Sequence, residues 1–257
     1  MARDILPNSN KSYSQLGNII ADARMAGLLP WDAIVDRTRS VRQQTHWEGA
    51  EEIIGAAANS FRIDSRSDQD NYIEVWIEKE ALAGVVDKAC EPLDIAYLSC
   101  RGYVSHSAMW AAANRFKAAA NNGQNGVILH LGDHDPSGMD MTRVIQSTLT
   151  TLRADVFVCR IALNMDQVKQ YGPPPNVAKL TDSRCEEYRH MYGDMSWELD
   201  ALEPQVLVTL ITDEVNSLTN QKRREELLVS QESQRVDLSD CYYKWEHVRR
   251  VLEKDRS

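Results

Sequence analysis

The sequence lacks the features that mark membrane-spanning, secreted and zinc-binding proteins. No stretch approaches the roughly 20 consecutive apolar residues that a membrane-spanning helix needs. The first residues contain neither a long apolar core nor a small-residue cleavage site, so a secretory signal is not predicted. The five cysteines are widely spaced and include no C-x-x-C pair, which argues against a zinc site. We therefore expect a cytoplasmic protein with reduced thiols and no membrane partner.

Basic charge is also scarce. Lys and Arg total 29 against 38 Asp and Glu, which gives a net charge of −9. Proteins that bind the phosphate backbone usually present a basic surface, so this balance argues against strong autonomous DNA binding. Arginines nevertheless cluster between positions 37 and 66, where they form either a local basic face or a solvated surface stripe. The cluster contains Arg37, Arg39, Arg42, Arg62 and Arg66.

Apolar periodicity and composition divide the chain into four regions. The first region has helical spacing of its apolar residues, and a polar stretch rich in turn formers follows it. Strand and helix patterns then alternate, and the last third is less regular. The predicted regions are a helical module at 1–63, a linker at 64–71, an α/β domain at 72–165 and a mostly helical C-terminal extension at 166–257.

The α/β domain is predicted to contain four strands joined by helices. The strands cover residues 72–77, 95–99, 127–131 and 156–161, and the segments between them have helical periodicity. Such alternation predicts a four-stranded parallel sheet with right-handed crossovers and helices on both faces. Ligands of these sheets bind outside the carboxyl ends of the strands, so residues that directly follow a strand are the first candidates for a site.

Three carboxylates stand at such positions. Glu78 follows the first predicted strand, and Asp133 and Asp135 follow the third. The first and third strands are commonly neighbours in doubly wound sheets, so we expect the three side chains to lie close together. Oxygen ligands of this kind suit Mg²⁺ or Mn²⁺. A second interpretation of Asp135 stays open, because an Asp ahead of Pro136 can simply cap the next helix.

Three strings around these residues match a known family. They are Val75–Leu82 (V-W-I-E-K-E-A-L), Arg101–Ser105 (R-G-Y-V-S) and Gly132–Gly138 (G-D-H-D-P-S-G). They resemble the Toprim domain, most closely the version found in the DNA-cleaving subunit of topoisomerase VI, its meiotic double-strand-break relative and related bacterial and phage proteins. The resemblance covers about residues 70–165 and implies a Toprim-like, Rossmann-like fold after a partial winged-helix-like module. Val104 stands where this family usually has a proline.

The resemblance implies magnesium-dependent DNA strand cleavage or transesterification, as in a topoisomerase or a Toprim nuclease. It implies that Glu78, Asp133 and Asp135 are the catalytic metal ligands for Mg²⁺, with Mn²⁺ as a substitute. Lys79 matches the basic residue after the family's glutamate, and Lys79 and Arg101 are the expected substrate contacts. DNA is the implied partner, and the further partner is either a second copy of the chain or a separate ATPase subunit.

The nucleophile is the part of the family pattern that this sequence does not match. In the DNA-cleaving subunit of topoisomerase VI, a tyrosine of the winged-helix domain attacks DNA and stays covalently attached. We expect that tyrosine to lie upstream of Met1, so the start is misassigned or trimmed, cleavage has been lost, or another group attacks. Tyr13 and the pair Tyr242–Tyr243 are expected to be packing or surface residues. Tyr103 is expected to contact substrate or to be structural.

Two further functions compete with strand cleavage. The first is a non-catalytic DNA-binding or assembly subunit that keeps the fold and the metal, which the acidic charge favours. The second is a haloacid-dehalogenase-like phosphatase, in which Asp133 would be the nucleophile. That motif normally opens its domain, whereas two strand–helix units precede it here and Glu78 would have no role.

Other polar residues near the strand ends receive weaker predictions. His134 is expected at most to orient the carboxylates from outside, and direct metal ligation by a histidine is disfavoured because Mg²⁺ prefers oxygen. Asp140 is an accessory candidate in the helix after Asp135. No role is assigned to the remaining histidines at strand ends or to the polar residues of the C-terminal extension. The residues concerned are His106, His130, Lys179, Asp182, Arg184, Glu198 and Asp200.

Overall fold

The computed structural model of the chain describes residues 10–34, 44–177 and 185–254. The chain divides into two compact units. One comprises Ile63–Ser230, and the other comprises Arg3–Arg62 with Gln231–Ser257. The predicted linker at 64–71 thus lies within the first unit, where Ser65 is buried, and so does the extension up to residue 230.

The first unit is built on a parallel sheet. Its strands are β1 (Asn71–Ile77), β2 (Ala96–Ser99), β3 (Asn125–Leu131) and β4 (Val156–Ala162). Their order in the sheet is β2–β1–β3–β4, and every pairing is parallel. The α/β class and the four-stranded parallel sheet predicted from the sequence are therefore confirmed.

Ten α-helices are found in the described residues. In chain order they are α1 (Asn10–Met25), α2 (Ala50–Ser60), α3 (Ala83–Cys90), α4 (His106–Asn121), α5 (Pro136–Thr151), α6 (Met165–Tyr171), α7 (Cys185–Tyr192), α8 (Pro204–Ser217), α9 (Gln221–Tyr243) and α10 (Trp245–Lys254). Among the described residues, none of these helices is both long and apolar enough to cross a membrane. A short antiparallel pair, β5 (Asn176–Val177) and β6 (Met195–Ser196), follows the strands of the main sheet in chain order.

Successive strand residues point to opposite sides of the sheet, so both faces carry apolar side chains. Helices cover each face and form a core there. On one face Ile77 and Leu129 pack with Val86 of α3 and with Leu207 and Ile211 of α8, all buried. The opposite face carries a second buried cluster that joins strand side chains to α4 and α5. That cluster contains Trp76, Ile128, Met109, Phe116, Met141 and Ile145. Helix α8 of the predicted extension is thus part of the core.

Most of the described residues of the second unit are helical. It contains α1, α2, the later part of α9, and α10. In α2 only Ala58 is buried, and its carbonyl accepts a hydrogen bond from Arg235 Nε at 3.3 Å. Several large apolar side chains of this unit are exposed. They include Tyr13, Ile19, Met25, Leu28 and Trp31.

A buried histidine lies on the α5 side of the sheet. His130 is fully buried in β3, and its Nδ1 lies 2.8 Å from the hydroxyl of Thr142. Its Nε2 is buried without a hydrogen-bond partner among the described residues. Burial lowers the pKa of His130 to about 3, and the nearby charge of Arg160 acts in the same direction. The imidazole is therefore neutral in the folded protein at ordinary pH.

We predict that His130 makes the stability depend on pH. In the unfolded chain its pKa is about 6.5, so between that value and about 3 the unfolded state binds the additional proton. Stability contributed by the neutral ring is thus complete above pH 6.5 and is lost progressively as the pH falls towards 3. Urea unfolding between pH 4 and pH 8 should show this slope in the native protein and a flatter one in His130→Asn. The same substitution at exposed His106 is the control, and parallel curves for native and His130→Asn proteins would contradict the assignment.

Candidate functional site

The carboxyl ends of β1 and β3 meet at one edge of the sheet. Ile77 is paired with Leu131 in the register, and the backbone N–H of Glu78 donates to the Leu131 carbonyl at 2.9 Å. Beyond this pair, the N–H of Gly132 donates to Ala162 at the end of β4, also at 2.9 Å. The residues that follow β1 and β3 are therefore neighbours, as expected from the common pairing of first and third strands in doubly wound sheets.

Glu78 is directly linked to the loop after β3. Its Oε2 accepts a hydrogen bond from the backbone N–H of Asp133 at 2.9 Å. This approach depends on Gly132, because a Cβ at that position would lie 3.0 Å from Glu78 Oε2. Burial raises the pKa of Glu78, the hydrogen bond from Asp133 opposes that shift, and the charge of Asp135 adds to it. Glu78 and Asp135 thus belong to one electrostatic cluster.

Asp133 is the most enclosed of the three carboxylates, with 8% of its surface exposed. Its Oδ1 accepts a hydrogen bond from the backbone N–H of Leu199 at 2.8 Å, and its Oδ2 lies 3.3 Å from Lys79 Nζ. Burial raises the pKa of Asp133 to about 7, and the negative charge of Glu78 contributes to the rise. Asp133 therefore has a high electrostatic free energy when ionised, which a nearby cation would lower.

Asp135 caps helix α5. Its Oδ1 accepts hydrogen bonds from the backbone N–H of Gly138 at 2.6 Å and from the hydroxyl of Ser137 at 3.0 Å. The capping interpretation is thus correct, and the cap also places Asp135 beside Glu78. Gly138 is needed for a different reason, since a Cβ there would lie 2.2 Å from the carbonyl oxygen of Asp133.

Lys79 lies among three carboxylates. Its Nζ is 2.9 Å from Glu198 Oε2, 2.9 Å from Asp200 Oδ1 and 3.3 Å from Asp133 Oδ2. Burial alone would lower the pKa of Lys79, but the attraction of Asp133 and the hydrogen bonds to Asp200 and Glu198 outweigh burial and raise the pKa. Glu198 and Asp200, to which the sequence assigned no role, therefore neutralise the lysine that was expected to face a phosphate.

Arg101 follows β2 at the same edge of the sheet. The N–H of Cys100 donates to Ile77 at 2.7 Å, which brings this turn beside Glu78. Arg101 itself has a left-handed backbone with φ +55°, and its side chain is 70% exposed and paired with Glu80. The side chain is therefore accessible to a substrate in solution.

A segment of the C-terminal extension closes over the loop after β3. His134 and Trp197 exchange backbone hydrogen bonds at 2.8 and 2.9 Å, and Leu199 reaches Asp133 from the same segment. The ring of His134 lies in an aromatic cluster, with ring centres 5.5 Å from Tyr188 and 4.6 Å from Tyr192. Its Nδ1 is 2.8 Å from the Tyr188 hydroxyl. His134 thus points into this cluster, and it fixes the loop through packing.

Tyr103 and Asp140 contact each other, and Arg160 lies close to the three carboxylates. The hydroxyl of Tyr103 donates to Asp140 Oδ2 at 2.8 Å, and Asp140 also pairs with Arg143. Arg160 of β4, which no sequence motif singled out, is close enough to Glu78, Asp133 and Asp135 for their charges to act on it. Burial lowers the pKa of Arg160 to about 10 despite the opposing effect of those three carboxylates. Its only signal in the sequence is a charged residue near the carboxyl end of the apolar string V-F-V-C-R-I-A.

Glu78, Asp133 and Asp135 offer the oxygen ligands that suit a hard divalent cation, but several of these oxygens accept hydrogen bonds from the protein. Among residues 10–34, 44–177 and 185–254, no three Asp, Glu, His or Cys side chains are grouped as ligands of one ion. Glu78 Oε1 and Asp135 Oδ2 nevertheless accept no hydrogen bond from this part of the chain. Oxygen donors are what Mg²⁺ prefers. Since Glu198 and Asp200 also lie nearby, five carboxylates surround the two cations Lys79 and Arg160.

Some predicted candidates lie elsewhere. Lys179, Asp182 and Arg184 fall outside the described residues, as do Arg37, Arg39 and Arg42. Tyr13 and the pair Tyr242–Tyr243 belong to the other compact unit. His106 is exposed at the start of α4. In comparisons with known proteins, no protein-family model and no curated protein matches the chain.

Proposed function

We propose that this chain is a magnesium-dependent, Toprim-type protein that processes nucleic acid by DNA strand cleavage or transesterification. The observation that carries the proposal is the convergence of Glu78, Asp133 and Asp135 at the carboxyl ends of adjacent parallel strands. A site at this edge of an open α/β sheet is where such folds bind their ligands. The Toprim-like fold and the winged-helix-like helical module are part of the same proposal.

In this proposal Mg²⁺ is held by Glu78, Asp133 and Asp135. When bound, Mg²⁺ would supply Lewis-acid stabilisation of the charge that develops on a scissile phosphate. The protein keeps the ligands in place through backbone hydrogen bonds: Asp133 N–H to Glu78 and Leu199 N–H to Asp133. The cap formed by Asp135 fixes its Oδ1 and leaves Oδ2 as the oxygen available to a cation.

Arg101 and Lys79, the two candidate substrate contacts, differ in how accessible they are to a phosphate. Arg101 is exposed at the edge and pairs with an exposed glutamate, and exchanging such a pair for a phosphate costs little. Lys79 is held by three carboxylates, so its main role in this proposal is to balance the charge of Asp133.

The position of Glu78 distinguishes this proposal from a haloacid-dehalogenase-like phosphatase. In that alternative Asp133 would attack the substrate, and nothing would be required of Glu78. Here Glu78 accepts the backbone N–H of Asp133, and Gly132 provides the space for that contact. The arrangement therefore supports a site in which Glu78 and Asp133 work together.

Magnesium binding is the first test of the proposal. Native protein should bind Mg²⁺ in titration calorimetry, and Asp133→Asn with Asp135→Asn should weaken the affinity by roughly 100-fold or more, because two anionic ligands are lost. Both substitutions preserve hydrogen-bond acceptors, and Asn is a good helix cap, so the fold should persist. The control is Asp155→Asn with Asp213→Asn, which removes two exposed carboxylates away from the site. Equal Mg²⁺ affinity in the native protein and the site variant would contradict the metal site.

DNA cleavage is the second test. Native protein should nick or relax supercoiled plasmid only when Mg²⁺ or Mn²⁺ is present, and Glu78→Gln should slow the reaction by about 100-fold or more. Gln at position 78 still accepts the N–H of Asp133, so a loss of activity would reflect the lost charge. Asp155→Asn serves again as the control. Unchanged cleavage by Glu78→Gln would contradict the role of this carboxylate.

A non-catalytic DNA-binding or assembly subunit is the second candidate function. Two observations favour it: the net charge of −9, and the neutralisation of Lys79 by acidic side chains. Exposed apolar residues of the helical unit, such as Leu28 and Trp31, would suit an interface with a second copy or a separate ATPase subunit. Native protein that binds Mg²⁺ and retards DNA in a gel, yet leaves plasmid supercoiled, would identify this function.

A further inference from the structure

Arg160 connects three backbone segments around the carboxylates. Its Nη2 donates to the carbonyl oxygens of Gly132 at 2.8 Å and Asp133 at 2.6 Å, with a longer contact of 3.3 Å to Leu163. Its Nη1 donates to the Gly138 carbonyl at 2.9 Å and to the Thr142 hydroxyl at 3.1 Å. One guanidinium thus joins the loop after β3, the first turns of α5 and the loop after β4.

Strand β4 is irregular next to Arg160. Arg160 is paired with His130, but the next pair is Leu131 with Ala162, so β4 has one additional residue at this point. Such an irregularity bends a strand and redirects side chains, and it is common beside functional sites. The side chain of Arg160 consequently reaches the backbone of the loop that carries Asp133 and Asp135.

A partly buried cation at this position costs free energy unless its donors are hydrogen-bonded. Among the described residues its Nε is buried with no hydrogen-bond partner, and burial lowers the pKa of the group. A counter-ion for the carboxylates could be any cation, whereas donation to carbonyl oxygens on three segments requires the rigid, planar fork of an arginine. Within the described part of the chain, the hydrogen bonds of Arg160 go to backbone carbonyls and a hydroxyl, and none goes to the side chains of the three site carboxylates.

We infer that Arg160 is the positioning residue of the carboxylate site. It fixes the backbone between Gly132 and Gly138, so that Asp133 and Asp135 face Glu78 before any cation binds. This inference rests on the proposed magnesium site for its significance. The geometry it assigns to the metal-free protein can be measured separately.

Two substitutions separate positioning from charge. Arg160→Lys keeps the positive charge but loses the fork, and Arg160→Gln loses the charge. If Arg160 positions the loop, both variants should bind Mg²⁺ at least about tenfold more weakly in calorimetry, as is usual when an outer support of a metal site is removed. The matched control is Arg115→Lys, which disturbs the ion pair of Arg115 with buried Glu74, four residues before Glu78 on β1. This control should lose stability without a change in Mg²⁺ affinity.

Amide hydrogen exchange, measured with a chelator present, reports how firmly the loop is held in the metal-free protein. Arg160→Lys should accelerate exchange at the N–H groups of Asp133 and Gly138 by about tenfold or more, while those of Val75 and Leu129 in the sheet stay protected. Native Mg²⁺ affinity and native exchange rates in Arg160→Lys would overturn the inference. A lower melting temperature with unchanged Mg²⁺ affinity in both variants would overturn it too, since Arg160 would then only stabilise the fold. If native protein binds no Mg²⁺, the proposed function fails, and the exchange rates alone decide whether Arg160 positions the loop.

Discussion

Burial of mutually repelling carboxylates at the ends of β1 and β3 is the constraint on which the arrangement of this site depends. Parallel pairing of these strands brings Glu78 beside Asp133, and the cap of α5 adds Asp135. Burial raises the pKa values of both Glu78 and Asp133, and the charges of neighbouring carboxylates add to each rise. The surrounding structure therefore has to supply donors and positive charge to hold these side chains together.

Lys79, next to Glu78, supplies part of it, and elements distant in sequence supply the rest. Lys79 balances Asp133 and is itself shared with Glu198 and Asp200 of the extension, whereas Arg160 acts on the backbone from β4. The N–H of Leu199 provides a donor for Asp133. The extension is thus part of the site as well as part of the core, since α8 packs on the same sheet. A truncated chain ending near residue 165 would lack both contributions.

The strands, and the residues that directly follow them, could be predicted because the alternation of apolar and polar residues is a local signal. Glu78, Asp133 and Asp135 were found this way, and the capping interpretation of Asp135 is correct although the residue also lies in the charged cluster. The partners of Lys79 could not be predicted, because they lie about 120 residues away and no periodicity links them. Arg160 was missed because its role depends on an irregular register between β3 and β4.

Diffraction from crystals soaked in Mn²⁺ would locate the metal, because manganese gives an anomalous signal and takes the same oxygen ligands as magnesium. If the three carboxylates hold the metal, one strong anomalous peak should be bounded by oxygen atoms of Glu78, Asp133 and Asp135. The Asp133→Asn, Asp135→Asn variant, treated in the same way, should show no peak there. No peak in the native protein, or a peak only between Glu198 and Asp200, would mean that these three carboxylates do not hold the metal.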